Sequence, residues 1–344
     1  MSAARDLLAR LSARRAAMLA AAAATALAGA VLDIGTGPAF LAPGVVARAM
    51  LGAAEDRAVE AIVWTIRLPV AALALGVGAA LGLSGAVMQT ILNNPLASCY
   101  TLGISAAAGF GAALAIVAGL ALPLPGDWAV AANAFVFAGL ACGLVLALGR
   151  LRGMTAEAMV LAGIALLFLF QALLALLQFV ASPEALQQVV FWLFGSLSRA
   201  TWAKSAIVAA ACALAIPVVM ADAWRLTAAR LGDDRARALG VDMRALRLRC
   251  FLAISVLTGA AVAFAGTIGF VGLVAPHAAR MLVGEDQRFL LPMSAACGAA
   301  LLSLASVASK TILPGALLPI GIVTAMSGVP FFAWLVARGG RGHW

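Results

Sequence analysis

Long stretches of apolar residues, separated by short polar segments, run through almost the whole chain. A helix needs about 20 apolar residues to cross the hydrocarbon core of a bilayer. The strands of a barrel would alternate apolar and polar positions, whereas these stretches are unbroken, so the pattern predicts helices. Ten membrane spans are predicted, at residues 16–32, 66–90, 101–119, 128–148, 156–180, 203–220, 248–265, 268–283, 290–308 and 319–336.

The positions of the basic residues orient these spans. Cytoplasmic loops of membrane proteins carry an excess of Lys and Arg. All but six of the 23 basic residues fall on one side of the ten-span arrangement, and removing one span would break this segregation. We therefore expect both termini to be cytoplasmic and residues 1–344 to form one transmembrane domain, with its helical bundle at 16–336. The six exceptions, on the outer side, are Arg48, Arg57, Arg67, Arg199, Lys204 and Lys310.

Composition places the chain among integral membrane proteins. Hydrophobic residues make up 65% of it and charged residues 11%, whereas a soluble domain is about half apolar and about a quarter charged. The net charge of +9 does not indicate nucleic-acid binding, because the basic residues lie in short loops between spans. The five cysteines have no CxxC spacing and are expected to be packing residues, not a metal site or a disulfide framework.

The N-terminal stretch, residues 5–30, has a basic start, an apolar middle and small residues at its end. This order of features also occurs in cleaved signal peptides. Because many more spans follow, we expect the stretch to be the first transmembrane helix.

A polar interruption, Asn93-Asn94-Pro95, follows the second predicted span. Pro95 lacks a backbone donor and disfavours helical geometry at Asn94, so the helix is expected to end there. The asparagine side chains are suited to bonding the freed backbone groups. From the residues alone, the segment is either a simple helix–helix turn or part of a gate.

Glycines mark places where helices approach closely or break. The pairs Gly78/Gly82 and Gly139/Gly143, each one helical turn apart, predict close helix packing. The glycines and proline between residues 266 and 276 predict short or broken helices, which membranes tolerate where they pack in protein or line a cavity. This favours a channel or transporter over a simple anchor.

Deep polar residues in the predicted spans are uncharged. Gln171 and Gln178 lie seven residues apart on one helix face and are candidates for lining a pathway, with interhelical hydrogen bonding as the alternative. No charged residue falls at the middle of a predicted span, which counts against an ion-coupled secondary transporter.

The chain carries no recognisable catalytic or nucleotide-binding motif. Neither of its two lysines, Lys204 and Lys310, lies in a phosphate-binding loop. Its two histidines, His277 and His343, are far apart, and a structural role is expected for His277. We expect a protein that is not an enzyme, binds no cofactor and takes any energy from another chain.

The largest predicted cytoplasmic loop, residues 222–248, has helical periodicity and is rich in arginine. Gly232 and Gly240 bound a short helix, and Asp233 and Asp234 stand where acidic side chains cap or complement a helix start. The loop is expected to dock a partner that moves the bundle, with a solvated basic loop as the alternative.

Five motifs occur in order between Arg67 and Val336. In them the chain resembles the FecCD-type permeases of ABC importers, which serve ferric siderophores, haem and vitamin B12. The motifs are RLPVAALALGVGAALGLSGAVMQTILNNPLASCYTLGISAAAGFGA from residue 67, FWLFGSLSRATW from 191, LGDDRARALGVD from 231, GTIGFVGLVAPHAARMLVGEDQRFLLP from 266 and LLPIGIVTAMSGVPFFAWLV from 317.

The resemblance implies an all-α, ten-helix type II ABC importer permease in a bacterial cytoplasmic (inner) membrane. It implies a dimer, formed with a second copy or a paralogue, around the substrate path. It further implies two ABC ATPase subunits carrying ATP-Mg in the cytoplasm and a periplasmic or lipoprotein substrate-binding protein outside. Ferric siderophores are the expected cargo, with haem or cobalamin as alternatives.

The resemblance also assigns residue roles. The cytoplasmic turn Asn93, Asn94 and Pro95 would lie near a gate. Cations at the outer surface would dock the binding protein, and the candidates are Arg57, Arg199 and Lys310. The ATPase contacts would come from the coupling helix, with the candidates Leu231, Gly232, Ala236, Leu239 and Gly240.

The chain departs from the family pattern at five positions. The second arginine of an Arg-x-Pro-Arg motif is Val70, and a common proline is Cys99. Two frequent acidic positions are Ser306 and Leu317, and a common arginine is Lys310.

Overall fold

A computed structural model describes residues 2–37, 41–53, 56–313 and 315–338. Arg341 and His343 lie outside the described residues, as do the side chains of Arg5 and Arg338. All regular structure in the described part is helical. The helices are α1 (Ser2–Gly35), α2 (Pro43–Met50), α3 (Arg57–Ala61), α4 (Leu68–Ile91), α5 (Ile104–Ala118), α6 (Asp127–Arg150), α7 (Ala156–Val180), α8 (Pro183–Leu193), α9 (Trp202–Ala221), α10 (Ala223–Ala229), α11 (Asp233–Ala238), α12 (Met243–Ala265), α13 (Val271–Val283), α14 (Gln287–Thr311) and α15 (Ile320–Arg338), with a π-helical segment, Ile62–Arg67, joining α3 to α4.

Seven helices within the described ranges are long and apolar enough to cross a membrane. They are α1, the continuous run from α3 to α4, α6, α7, α9, α12 and α14. The shorter apolar helices α5, α13 and α15 coincide with the other three predicted spans. The protein is therefore a multi-pass, all-helical membrane protein, while the count of ten crossings stays a prediction.

Two of the short helices begin inside the bundle. Gly103, just before α5, has a φ of +75°, and a β-carbon there would lie 2.6 Å from the backbone nitrogen of Leu167 in α7. Gly272, in the first turn of α13, lies against Gly85 of α4 so closely that a side chain at Gly85 would overlap its carbonyl oxygen. The non-helical backbone before α13 is buried or half-buried in protein, as the glycines between 266 and 276 predicted.

Helices α4 and α14 cross at their glycines. A β-carbon at Gly78 or Gly82 would overlap the carbonyl oxygen of Gly298 or Ser294. The predicted role of the first glycine pair is thus confirmed. Among the described residues of this chain, the same prediction for Gly139 and Gly143 is wrong: the nearest atom to a β-carbon at Gly139 is 3.5 Å away, and Gly143 has none of these residues within 4 Å.

Short amphipathic or interfacial helices were not anticipated from the sequence. Helices α2, α3 and α8 lie outside the predicted spans, and the second span begins earlier than predicted, at Arg57. Helix α8 has a clear start signal, because Pro183 occupies its first turn and the Ser182 hydroxyl accepts a hydrogen bond from Ala185 N at 3.2 Å. These helices have 8, 5 and 11 residues, too few to cross a bilayer, so the apolar length that predicts a span does not predict them.

The bundle has two chemically different ends. In α1, Arg15 forms an ion pair with Asp286 at 3.4 Å near one end, and Asp33 forms one with Lys310 at 2.8 Å near the other. The helix between these pairs is about 27 Å long at 1.5 Å per residue. The end with the Arg15–Asp286 pair also carries α10 and α11, and we call it the arginine-rich end. We call the end with the Asp33–Lys310 pair the cavity end.

Candidate functional site

A short exposed helix, α11, dominates the arginine-rich end. It is bounded by Gly232 (φ +95°) and Gly240 (φ +83°). Residues with a β-carbon pay about 1–2 kcal/mol in such left-handed backbone, so the two glycines fix where this helix starts and stops.

The exposed side of this segment carries two leucines beside charged residues such as Asp234 and Arg237. Leu231 and Leu239 are each about half exposed, at 52% and 51%. Ala236, by contrast, is completely buried beneath the helix. The prediction that Ala236 contacts an ATPase is therefore wrong, because its side chain faces the bundle. Leu231, Gly232, Leu239 and Gly240 stay candidates for contact with a partner.

A buried arginine ties α11 to the bundle. Arg247 of α12 is 1% exposed and donates two hydrogen bonds to the Asp233 carboxylate, both at 2.8 Å. It also donates to the carbonyl of Ile91 at 3.1 Å, at the end of α4, and to the carbonyl of Met154, before α7. Asp233 thus complements the helix start but does not cap it, since Gly232 occupies the cap position. One guanidinium joins four segments of the chain.

A second ionic link runs through Glu285. Its Oε1 lies 2.9 Å from Arg230 Nη2, beside α11, and 2.9 Å from Arg280 Nε in α13. Arg280 in turn donates to Gln89 Oε1 in α4 at 3.2 Å. The segment that carries α11 is thereby connected to both α4 and α13.

Asp222, between α9 and α10, forms a third ionic site. Burial raises the pKa of its carboxyl, but hydrogen bonds and charge from Arg249 and Arg225 outweigh burial and hold the pKa below its ordinary value. The distances are 2.7 Å to Arg249 Nε and 2.5 Å to Arg225 Nη1. The carboxylate stays ionised near neutral pH and fixes the orientation of α10.

The polar turn after α4 has the geometry expected of its asparagines. Asn93 adopts a positive φ of 44°, and Asn94 Oδ1 accepts a hydrogen bond from Leu96 N at 2.9 Å. Pro95 lies half-buried in the same turn. The turn follows directly on Ile91, whose carbonyl Arg247 holds. Its role as a gate stays a prediction.

The predicted pathway residues lie on the outer side of α7. Gln171 is exposed and Gln178 is half-buried in the single chain. The structure gives neither a hydrogen bond to another described residue, so the interhelical bonding alternative is not seen within one chain. A pathway role would require a second subunit against α7.

A cavity of about 670 Å³ opens at the cavity end between α4, α6, α8, α12 and α14. Arg67, Arg199, Lys204 and Lys310 line it together with one acid, Asp127. Its other walls are mostly apolar, with the aromatic side chains of Phe191, Trp192 and Phe264 among them, and a few serine and threonine hydroxyls complete the lining.

The three predicted docking cations have different surroundings. Arg57 is exposed outside this cavity, and Arg199 is exposed on its rim, 3.4 Å from Asp127. Lys310 is not a surface residue: its side chain is 11% exposed and its ammonium binds Asp33 at 2.8 Å. The prediction that Lys310 docks a binding protein is corrected accordingly, because its charge is neutralised inside this chain.

Four of the five departures from the family pattern meet at this cavity, whose lining includes Val70, Ser306, Lys310 and Leu317. The fifth, Cys99, is a buried free thiol near α5. His277 packs its ring near Phe331 and Phe332, in keeping with a structural role.

Sequence reasoning missed the residues that hold these sites together. Arg247 shares the buried face of α12 with Met243, Leu246 and Cys250, and this helical spacing was a usable signal. Asp33 and Arg67 gave no local signal, because their surroundings come from distant segments.

Comparison with known proteins identifies relatives over most of the chain. The model of the FecCD transport family matches residues 24–338. A probable iron chelatin transport system permease protein of Helicobacter pylori is 39% identical over 83% of this chain and 85% of its own. The hemin transport system permease protein HmuU of Yersinia pestis is 38% identical (80% and 83% covered). The vitamin B12 import system permease protein BtuC of Vibrio vulnificus is 36% identical (81% and 83%).

A solved structure agrees with these relatives. A putative metal-chelate type ABC transporter in an inward-facing conformation has a TM-score of 0.82 and 31% sequence identity. The match covers 94% of this chain and 99% of that one. The matched family model, the identities and the shared fold lead to one conclusion: this chain belongs to the FecCD transport family.

Proposed function

We propose that this chain is the membrane permease subunit of an ATP-driven ABC importer for ferric siderophores. Its family consists of ABC permease subunits, which transport and are not enzymes themselves. Relatives named for iron chelatin and haemin support an iron-containing cargo. The observation that carries the proposal is the exposed, glycine-bounded helix α11, fastened to the bundle by the Asp233–Arg247 pair.

The geometry supplies a route for coupling. An ATPase subunit docked on Leu231 and Leu239 would move α11 as a rigid body. Arg247 would pass the displacement to the end of α4 and the polar turn after it, and Glu285 would pass it to α13. Such rigid-body motion of packed elements is a common basis for switching between two access states.

Further partners follow from the same proposal. Two ATPases with ATP-Mg would lie in the cytoplasm at the arginine-rich end, and a substrate-binding protein would dock at the cavity end of a bacterial inner membrane. The exposed face of α7, with Gln171 and Gln178, is the proposed contact with the second permease subunit around the cargo path. Both termini would then be cytoplasmic.

Reconstitution tests the proposal directly. The permease, its ATPases and its binding protein are placed in liposomes, and uptake of radiolabelled ferric siderophore, haem and cobalamin is measured with and without ATP. ATP-dependent uptake of the ferric siderophore alone is the expected result. Preference for haem or cobalamin would replace the cargo, and sustained accumulation by the permease alone would end the proposal in favour of a secondary transporter.

A single-residue variant tests the docking face. Leu239→Asp replaces one of the two exposed leucines by a charge, and we expect the ATPases no longer to co-purify and uptake to fall about tenfold or more. Leu151→Asp is the matched control, since it introduces the same charge at a leucine that is also exposed at the arginine-rich end but lies after α6 and outside α11. Equal losses in both variants would contradict a specific role for α11.

A further inference from the structure

The cavity end combines buried cations with too few carboxylates. Arg67, Arg199, Lys204 and Lys310 line the cavity, whereas the carboxylates among them are Asp127 and, behind Lys310, Asp33. Four cations thus share two carboxylates in the described part of the chain, which leaves an excess of two positive charges. Asp127 lies near Arg199 and Lys204, and Asp33 pairs with Lys310 and attracts Arg67. Ionised groups in a low-dielectric site attract an opposite charge strongly.

Arg67 has a donor aimed at no protein acceptor. The residue is 4% exposed, and its Nη1 donates to the carbonyl of Ile34 at 2.8 Å. Its Nη2 is buried and has no hydrogen-bond partner among the described residues. Gly37 leaves room beside it, because a β-carbon there would lie 3.1 Å from Nη2. Buried polar groups normally have partners, and a guanidinium edge matches a carboxylate.

Lys204 points into the same space. Its side chain is 8% exposed, and its ammonium donates to the Arg199 carbonyl at 2.8 Å, while the Asp127 carboxylate is 3.9 Å away. An ammonium has three donors, so Lys204 keeps capacity for a further acceptor. The apolar wall formed by Phe191, Trp192 and Phe264 adds a surface for the non-polar part of a ligand.

We propose that this cavity is a binding site for a small carboxylate-bearing ligand, whose carboxylate is held by Arg67 and Lys204. The three cations other than Arg199 are nearly buried, so the ligand must enter the cavity, which favours a small molecule over a side chain on another protein's surface. If the proposed function holds, the ligand is a carboxylate-bearing metal chelate that meets the permease on entry. This identity of the ligand rests on the proposed function, whereas the existence of the site does not.

Direct binding tests the site without ATPases or a binding protein. The full chain in lipid nanodiscs is titrated with tricarballylate, a small tricarboxylate, and with its uncharged trimethyl ester, using saturation-transfer NMR. Tricarballylate is expected to bind and the ester not to bind. Arg67→Gln and Lys204→Gln are each expected to weaken binding about tenfold, and Arg67→Lys less, because charge remains while the fork is lost. Arg48→Gln, an exposed cation at the same end outside the cavity, is expected to bind as the parent does.

Three outcomes would each contradict the proposed carboxylate site. They are equal binding of tricarballylate and its ester, equal effects of Arg48→Gln and Arg67→Gln, and binding that is seen only when the binding protein is present. If Arg67→Gln fails to fold, Lys204→Gln alone decides. Uptake of an uncharged ferric chelate by the reconstituted importer distinguishes failure of the importer function from failure of the cavity site. If this uptake occurs but tricarballylate does not bind, the importer function stands and only the cavity site is contradicted.

Discussion

Single buried charges hold distant parts of this chain together. Arg247 is nearly inaccessible, yet all its bonds go to a carboxylate and two carbonyls at the ends of other segments. Carbonyls at helix ends have no partner within their own helix, so an arginine is a suitable donor to them. Its five donors in a rigid fork suit such a convergence better than a lysine.

Loss of Arg247 is expected to be costly. Arg247→Ala leaves the carbonyls of Ile91 and Met154 without their donor, and Asp233 keeps only its exposed contact with Arg237. Breaking a buried pair typically costs about 3 kcal/mol or more. Arg247→Lys should recover part of this. The matched control is Arg237→Ala, whose pairs with Asp233 and Asp234 are exposed at 3.4 and 3.3 Å and worth about 0.5 kcal/mol. Thermal unfolding in detergent measures all three variants, and a small shift for Arg247→Ala would contradict this account.

The ion pairs of Asp222 with Arg249 and Arg225 make part of the protein's stability sensitive to acid. The pKa of Asp222 is lowered in the folded protein, so its contribution to stability is complete above the ordinary carboxyl pKa of about 4. That contribution is lost only as the pH falls through the lower, folded value. We expect Asp222→Asn to lower the melting temperature by a constant amount from pH 8 to about pH 5, with the difference shrinking below about pH 4. A difference that already shrinks between pH 7 and pH 5 would contradict this assignment.

At the scale of helices, the α4–α14 crossing depends on missing side chains. Gly78, Gly82 and Gly298 place backbone against backbone, where any β-carbon overlaps a carbonyl oxygen. Lipid provides no hydrophobic drive for helix association, so such close approach is a main source of helix–helix attraction in a membrane. The crossing also positions Lys310, at the end of α14, against α1 and the cavity.

Gly82→Ala is expected to destabilise the bundle by about 1–3 kcal/mol, because the added methyl group forces α4 and α14 apart. Gly143→Ala is the control from the pair with identical spacing. It has open space for a β-carbon and is expected to be neutral or slightly stabilising, since alanine favours helix more than glycine does. Melting temperatures in the same detergent make the comparison, and equal effects would refute the packing argument.

The two glycine pairs also show how far sequence patterns reach. Apolar length predicted a helix at each of ten places, because the bilayer requires a continuous hydrogen-bonded apolar segment. Spacing did not distinguish Gly82 from Gly143, since only the arrangement of neighbouring helices decides which face is crowded. Ala236 was misassigned for a related reason: a six-residue helix has an inner and an outer face, and the pattern did not show which face Ala236 occupies.

On the scale of the whole molecule, charge is divided between two ends. The arginine-rich end contains the ionic links of α10 and α11, and the cavity end contains the cations of the cavity. Arg247 bonds the carbonyl of Ile91, which is 156 residues away, and the cavity walls come from segments between Thr36 and Ile320. These long separations explain why the buried contacts at each end were not visible in local sequence, although the short glycine-bounded helix and the segregation of the basic residues were.

The orientation of the two ends in the membrane is the last testable consequence. Because cytoplasmic loops are enriched in basic residues, the arginine-rich end is expected to face the cytoplasm. Arg57→Cys at the cavity end and Arg150→Cys at the arginine-rich end both create exposed thiols. The five native cysteines are buried or half-buried and give a low background. A membrane-impermeant maleimide is applied to intact spheroplasts. It should label the Arg57→Cys variant at once and the Arg150→Cys variant only after permeabilisation. The reverse pattern would invert the topology and, with it, the proposed positions of the ATPases and the binding protein.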